Sequence, residues 1–268
     1  MICFPNAKIN IGLNVVEKRN DGFHNLETIF LPIGLKDALE FIESDILQFK
    51  NSGLAIDGDP LNNLCVKAWK LIQQDFAIPP IHIHLHKVIP FGAGLGGGSA
   101  DAAFMLVLLN DFFELKISQE KFIEYALQLG SDCPIFIINK PCYGTGRGEI
   151  LEPIDVNING KHLVLINPGI HVPTRDAFTS ITPQHSQFDL RESIQKPITD
   201  WKNYIANDFE KSIFPKYPAI AKIKETLYEQ GALYASMSGS GSSVFGIFDE
   251  KRDLQNVFPE CFCWCGGL

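Results

Sequence analysis

The sequence predicts an α+β protein in two lobes. Apolar residues recur at helical spacing in some segments and alternate as strands in others, and this pattern restarts after Glu152. The second half then reads β, α, β, β, α, β, which suggests a ferredoxin-like layer of helices on a mostly antiparallel sheet. A boundary between Glu152 and Gly160 divides the chain into an N-terminal domain over 1–155 and a C-terminal domain over 156–268. At 268 residues the chain is long enough for two modest domains.

Residues 7–16 alternate as a strand and run into a polar turn at Lys18 to Gly22. Ile46, Leu47, Phe49 and Leu54 predict strands on either side of a turn at Asn51-Ser52-Gly53. Leu64, Ala68, Leu71, Ile72 and Phe76 recur at helical spacing and end before Pro79-Pro80. Residues 81–88 alternate as a strand, and a glycine-rich segment follows. The apolar run over 102–109 predicts a helix with Ser99 as its N-cap. A second helix covers 119–129 and stops at Gly130. In the second half, 163–166 reads as a strand and 219–228 as a helix. Strands at 233–237 and 244–248 flank a glycine-serine loop. A helix over 249–257 and a strand over 261–265 close the chain.

Composition narrows the partners. Hydrophobic content of 46% with 20% charged residues is that of a soluble globular protein. A net charge of −8 with no basic block argues against nucleic acid. An acidic protein that binds polyphosphate must concentrate its positive charge locally, so individual lysines become informative. The first residues lack a basic segment followed by an apolar one, and no run approaches the ~18 apolar residues of a membrane span. Seven cysteines are scattered without a disulfide framework. A cytoplasmic protein with no membrane partner is expected.

The richest segment is Pro90-Phe91-Gly92-Ala93-Gly94-Leu95-Gly96-Gly97-Gly98-Ser99-Ala100, in which five of the seven residues from Gly92 to Gly98 are glycine. Glycine admits φ > 0 and lets a ligand approach the backbone N–H groups. A helix N-terminus just downstream adds unpaired donors and partial positive charge. Together these describe an anion cradle, most often for phosphate. A flexible linker does not fit, because Leu95 interrupts the glycines and a helix follows at once. A Walker A loop needs Gly-Lys-Ser/Thr, and no lysine follows Gly98. The formal Gly-x-Gly-x-x-Gly at Gly92, Gly94 and Gly97 lacks the acidic residue at the end of a second strand that a dinucleotide fold requires. A protein kinase is disfavoured by the lack of His-Arg-Asp and Asp-Phe-Gly.

The segment instead resembles the central motif of the GHMP small-molecule kinases. Pro5-Asn6-Ala7-Lys8-Ile9-Asn10-Ile11-Gly12-Leu13 resembles the first motif of that family, and Ser238-Gly239-Ser240-Gly241-Ser242-Ser243-Val244-Phe245 its third. Arg19-Asn20-Asp21-Gly22-Phe23-His24-Asn25-Leu26-Glu27-Thr28 and Leu129-Gly130-Ser131-Asp132-Cys133-Pro134-Ile135-Phe136 resemble the branch whose acceptor is a cytidine-diphosphate-linked methylerythritol. Gly148-Glu149-Ile150-Leu151 and Pro168-Gly169-Ile170-His171-Val172-Pro173-Thr174 sit where that branch has similar segments.

The resemblance implies a two-lobed GHMP kinase fold: an N-terminal ATP-binding lobe like domain 2 of ribosomal protein S5, and a C-terminal ferredoxin-like, substrate-binding lobe. It implies ATP as co-substrate, with Mg2+ carried on the nucleotide, and a monomer or homodimer. Asp132 is implied as the base that takes the hydroxyl proton and Lys8 as the cation that steadies the developing charge. A salt bridge that only ties strand to loop is the alternative for that pair. The loop from Pro90 to Ala100 is implied to bind ATP, with Asn63, Leu64 and Lys87 bordering the adenine. Asn10, two residues after Lys8 and on the same strand face, is implied to bind the acceptor, as are Phe23, His24, Thr174, Phe178, Gly239 and Ser240. Phe23 stands where the family usually has tyrosine. Stacking on cytosine needs only the π face, so the change keeps stacking and loses a hydroxyl contact. Ordinary packing is the alternative for Phe23 and Phe178.

Ser99 is placed to cap the helix, bind phosphate or touch a metal-bound water, and Asp101 to complement the helix dipole. Neither is assigned as a metal ligand. His82, His84 and His86 share one strand face, with neighbours roughly 6.6 Å apart, and are expected to be a solvated face and not a zinc site. Cys261, Cys263 and Cys265 share a face of the last strand, where neighbouring Cβ vectors do not converge for disulfides. Two other functions stay open: a GHMP kinase for homoserine or a mevalonate-type alcohol, and a catalytically silent sensor on the same fold.

Overall fold

The computed structural model describes residues 1–179 and 181–268. In chain order it runs β1 (Ile2–Cys3), β2 (Asn6–Lys18), β3 (His24–Lys36), β4 (Ala38–Glu43), β5 (Gln48–Gly53), α1 (Leu64–Asp75), β6 (Ile81–Lys87), α2 (Gly97–Phe112), α3 (Gln119–Leu129), α4 (Cys133–Ile138), β7 (Cys142–Thr145) and β8 (Ile150–Pro153). It continues with β9 (His162–Asn167), α5 (Thr174–Phe178), α6 (Leu190–Ser193), α7 (Trp201–Tyr204), α8 (Glu210–Lys216), α9 (Pro218–Glu229), β10 (Tyr234–Met237), β11 (Val244–Phe248) and β12 (Phe262–Gly267).

Two compact units interleave along this chain. The first comprises Met1–Ala7, Leu35–Phe91 and Gly96–Asn139, and the second Lys8–Gly34, Gly92–Leu95 and Lys140–Leu268. A single cut at residue 155 therefore does not describe the compact units. Strand pairing is the reason: β2 and β3 share a four-stranded sheet with β7 and β8, in the order β2-β3-β7-β8. Leu13 also bridges Asn207 in parallel, far down the sequence.

The first unit is a sheet of order β1-β4-β6-β5 with helices α1 to α4. Alternation in β6 buries Ile81, Ile83 and Leu85 and turns His82, His84 and His86 to the opposite face. There His84 bonds Glu40 at 3.1 Å, and the Ser52 hydroxyl bonds both His84 and His86. The turn expected at Asn51-Ser52-Gly53 is instead the end of β5, parallel to β6, with Ser52 opposite His86. Ladder hydrogen bonds to β6 outweigh the local turn preference of Asn, Ser and Gly. Helix α1 is capped by Asn63, whose Oδ1 accepts from the Cys65 N–H at 2.8 Å, and buries Cys65, Val66, Ala68, Trp69 and Ile72. Helix α3 has the bounds its apolar spacing predicts, with Ser118 as N-cap and Gly130 at its end.

In the second unit, β10, β11, β9 and β12 form an antiparallel sheet in that order. This is the ferredoxin-like arrangement, with α9 between the first two strands in sequence. No helix joins β11 to β12, contrary to the expectation over 249–257. The Asp253 carboxylate accepts from the Gln255 N–H, and such local bonds compete with helix formation. Leu254 and Phe258 still reach the core, where they meet Leu13, Val15, Ile166, Phe209, Leu227 and Val244. Cys261, Cys263 and Cys265 pack against the same cluster.

Gly12 shows how tightly β2 is seated. Its φ is +70°, and a Cβ there would lie 2.8 Å from both Ile205 Cγ2 and Leu190 Cδ1. Gly12→Ala is expected to cost about 1–3 kcal/mol through strain and crowding. The urea midpoint, read at unchanged m-value, measures this; a wild-type midpoint would contradict it.

Candidate active site

Three sequence segments meet in one buried polar node of the second unit. Strand β2 carries Lys8 and Asn10 on one face, and the Lys8 ammonium donates to Asn10 Oδ1 at 2.7 Å. It also donates to the carbonyl of Gly94 at 3.2 Å and lies 5.3 Å from the centre of the Phe30 ring. The Ser238 hydroxyl donates to the same Gly94 carbonyl at 2.8 Å and accepts from the Asn10 N–H. Asn10 Nδ2 reaches the Thr28 hydroxyl, which donates to the Gly12 carbonyl. A Cβ on Gly94, whose φ is +76°, would overlap the carbonyl of Ser238, so only glycine fits. Gly239 is buried beside Asn10, and Ser240 is half-buried. The carbonyls of Gly239 and Met237 both accept from Asn207 Nδ2 at 2.8 Å.

The loop turns its carbonyls toward these supports. Ala93 accepts from the Ser243 N–H, Gly94 from Lys8 and Ser238, and Leu95 from the Lys8 N–H. N–H groups are then the polar backbone atoms that such a segment presents to an anion.

In the first unit, the structure moves the start of α2. Gly96 is the N-cap, in the left-handed region at φ +69°, and the helix begins at Gly97. Ser99 is therefore inside the first turn and not its cap. Its hydroxyl hydrogen-bonds the thiol of Cys133, the first residue of α4. Asp132 is the residue immediately before that helix, at the N-cap position. Ser99 thus ties the first turn of α2 to the segment that carries Asp132. Burial pushes the Cys133 thiol up to about 12, so it stays protonated.

A cavity of about 340 Å³ opens beside the same turn, lined among others by Asn63, Leu64, Phe91, Gly98 and Asp101. Asn63 and Leu64 border it. Lys87 does not line it. Its ammonium is buried, 2.5 Å from Asp37 Oδ2 and 2.7 Å from Asp101 Oδ2. Asp37 Oδ1 accepts in turn from the N–H groups of Val88 and Ile89 at 2.6 and 2.9 Å, just before Pro90. Asp101 is therefore an ion-pair partner and not merely a complement to the helix dipole. Sequence reading missed Asp37, because no local pattern marks a carboxylate that pairs fifty residues away.

His24, Phe178 and Phe209 pack ring against ring in the second unit. His24 stacks on Phe178 with ring centres 4.7 Å apart and planes at 19°. Phe178 also meets Phe209 edge-on, and α5 carries it with Thr174 exposed at the helix start. Partial burial and the nearby Lys18 push the His24 pKa down, which favours a neutral ring at pH 7. Phe23 is 54% exposed, and the Arg147 guanidinium lies 5.0 Å from its ring centre. Glu149 holds that arginine from the turn after β7. Arg147 escaped the sequence reading because only the β7–β8 hairpin brings it to Phe23.

Comparison with known proteins bears on these residues. The chain matches the family models for the GHMP kinases N terminal domain over 63–140 and GHMP kinases C terminal over 190–262. It is 54% identical over 269 residues to 4-diphosphocytidyl-2-C-methyl-D-erythritol kinase of Bacteroides fragilis, covering 98% of both chains. Against the protein of that name from Parabacteroides distasonis it is 51% identical, over 100% of both. A crystal structure of 4-(cytidine 5'-diphospho)-2C-methyl-D-erythritol kinase superposes with a TM-score of 0.82 at 27% identity, covering 99% and 98%. Mevalonate kinase of Methanococcus jannaschii shares the fold, with a TM-score of 0.70 at 14% identity over 100% and 98%.

Removing the Lys87 ammonium leaves two buried carboxylates face to face. Lys87→Met is expected to cost about 3–5 kcal/mol of stability. Chemical denaturation at pH 8 measures it, and a loss below about 1 kcal/mol would show that the cluster is not electrostatically tight.

Proposed function

The chain belongs to the GHMP kinase family, and we propose that it transfers the terminal phosphoryl group of ATP to the 2-hydroxyl of 4-diphosphocytidyl-2-C-methyl-D-erythritol. The products are the 2-phosphate and ADP, and the reaction serves non-mevalonate isoprenoid precursor synthesis. The observation that carries the choice of acceptor is the aromatic set Phe23, His24 and Phe178. Homoserine and mevalonate offer no flat base to stack, whereas cytosine does.

Phosphoryl transfer has a loose transition state, so the protein mainly positions groups and stabilises charge. The inward carbonyls of Ala93, Gly94 and Leu95 support a loop whose N–H groups hold the triphosphate. The cavity beside Asn63, Leu64 and Phe91 receives the adenine. Asp132 accepts the hydroxyl proton. A carboxylate is a far weaker base than the alkoxide that full deprotonation of the alcohol would leave. The proton therefore leaves late, as the new P–O bond forms, and such help is worth about 10²–10⁴-fold. Lys8, held by Asn10 and Gly94, supplies a fixed positive charge for the reacting oxygens. Neutral His24 reads the edge of the base.

Mg2+ is carried in by ATP, since an ion that demands octahedral oxygen ligands is served by phosphates and water. Among the described residues, no group of three or more His, Cys, Asp or Glu side chains is placed to enclose a metal. No helix among them is long and apolar enough to cross a membrane.

Two measurements test the reading. ADP release should be at least about a hundredfold faster with the cytidyl acceptor than with homoserine or mevalonate, matching the upper range of one stacked base; equal rates would defeat the acceptor assignment. Asp132→Asn should abolish turnover while nucleotide binding persists, and near-normal turnover would remove Asp132 from the mechanism.

A further inference from the structure

Beneath the start of α2 lies a cluster of charge that the transfer reaction does not use. The side chains of Asp37 and Lys87 are fully buried and that of Asp101 is 4% exposed. One ammonium faces two carboxylates, so full ionisation leaves an excess negative charge out of water. The two acids are not equivalent. Asp37 has both oxygens engaged, one by Lys87 and the other by the N–H groups of Val88 and Ile89. Asp101 has Oδ2 on Lys87, while its buried Oδ1 has no hydrogen-bond partner. A buried oxygen without a donor makes ionisation expensive, and protonation relieves it.

Among the described residues, the other groups facing Asp101 offer no second cation. Cys3 of β1 is pushed up to about 12 by burial, and Cys65 of α1 is likewise raised well above the usual thiol range. Cys133 of α4 is occupied with Ser99. The α-amino group of Met1, which acts on Cys3, donates to the carbonyl of Phe41.

The cluster touches the proposed ATP site directly. Lys87 Nζ would lie 2.9 Å from a Cβ on Gly97 and sits 5.3 Å from the centre of the Phe91 ring. Asp101 lines the same cavity as Phe91, Gly98 and Asn63.

We propose that Asp101 is the proton-linked residue of the ATP site: it takes up a proton as nucleotide binds, so binding strengthens as pH falls through neutrality. The inference rests on the ATP-binding reading above. Burial, opposed by Lys87 and reinforced by Asp37, already pushes Asp101 up to about 7. A polyanion on the adjoining turn adds negative potential and raises it further, so the complex holds more protons than the unliganded chain near pH 7–8. By linkage, lower pH then favours the complex.

Calorimetric titration of the full chain with Mg·ATP at pH 6, 7 and 8 tests this, each in two buffers of different ionisation enthalpy. A rise of about one pH unit in the Asp101 value on binding gives roughly a five-fold gain in affinity from pH 8 to pH 6. The gain is read relative to Asp101→Asn, which shares the nucleotide's own titration. Proton uptake by the unsubstituted protein at pH 8, above the phosphate pKa of about 6, is the second readout and needs no variant. Parallel pH profiles with no uptake overturn the inference and leave the ATP site standing. No binding at any pH removes the ATP site and the inference with it.

Discussion

A single peptide oxygen, that of Gly94, receives both the Ser238 hydroxyl at 2.8 Å and the Lys8 ammonium at 3.2 Å. Each donor is itself held elsewhere, Lys8 by Asn10 and Ser238 by the Asn10 N–H. Three stretches far apart in sequence are thereby fixed around one acceptor. Losing either donor leaves a buried polar atom short of a partner, at about 1–3 kcal/mol. The acceptor belongs to the backbone, so no side-chain substitution can supply it. What selection can act on is the glycine that lets the chain come so close and the hydroxyl that meets it.

The same economy shows in how the chain handles positive charge. With a net charge of −8, the chain takes two of its ammonium groups out of water. Lys8 and Lys87 are both nearly sealed from solvent. Lys8 donates to Asn10 Oδ1 and to the Gly94 carbonyl and lies beside the Phe30 ring. Lys87 is balanced by two carboxylates and serves the fold. The sequence resemblance gives Lys8 to the reacting oxygens and Lys87 to the border of the adenine.

Legibility followed the locality of the forces. Helix α3 was readable because its cap, its apolar spacing and its terminal glycine all lie within a dozen residues. The two faces of β6 were readable because alternation is a property of the strand itself. Strand β3 was missed, since Pro32 and Gly34 interrupt its apolar residues and its pairing comes from β2 and β7. The helix expected after Asp249 failed for the converse reason, as Leu254 and Phe258 find the core without one. At the site, short motifs located Lys8, Asn10 and the glycine loop. They could not reveal Asp37, Arg147 or Asn207, whose roles come from partners brought up by the fold.

The bridge between β2 and the segment at Asn207 has a consequence for how the chain is made. Leu13 exchanges backbone hydrogen bonds with Ala206 and Asp208, and the Val15 N–H donates to the Asp208 carboxylate 193 residues on. During synthesis from the N-terminus, β2 therefore leaves the ribosome long before its closing partners exist. Leu13 and Val15, both buried in a cluster built mostly from the C-terminal half, lack those neighbours meanwhile. Such late pairing slows folding and leaves a sticky strand for other chains to find. The interleaved architecture thus makes the nascent hairpin a natural client for cellular holding factors, a burden set by chain order and not by any single residue.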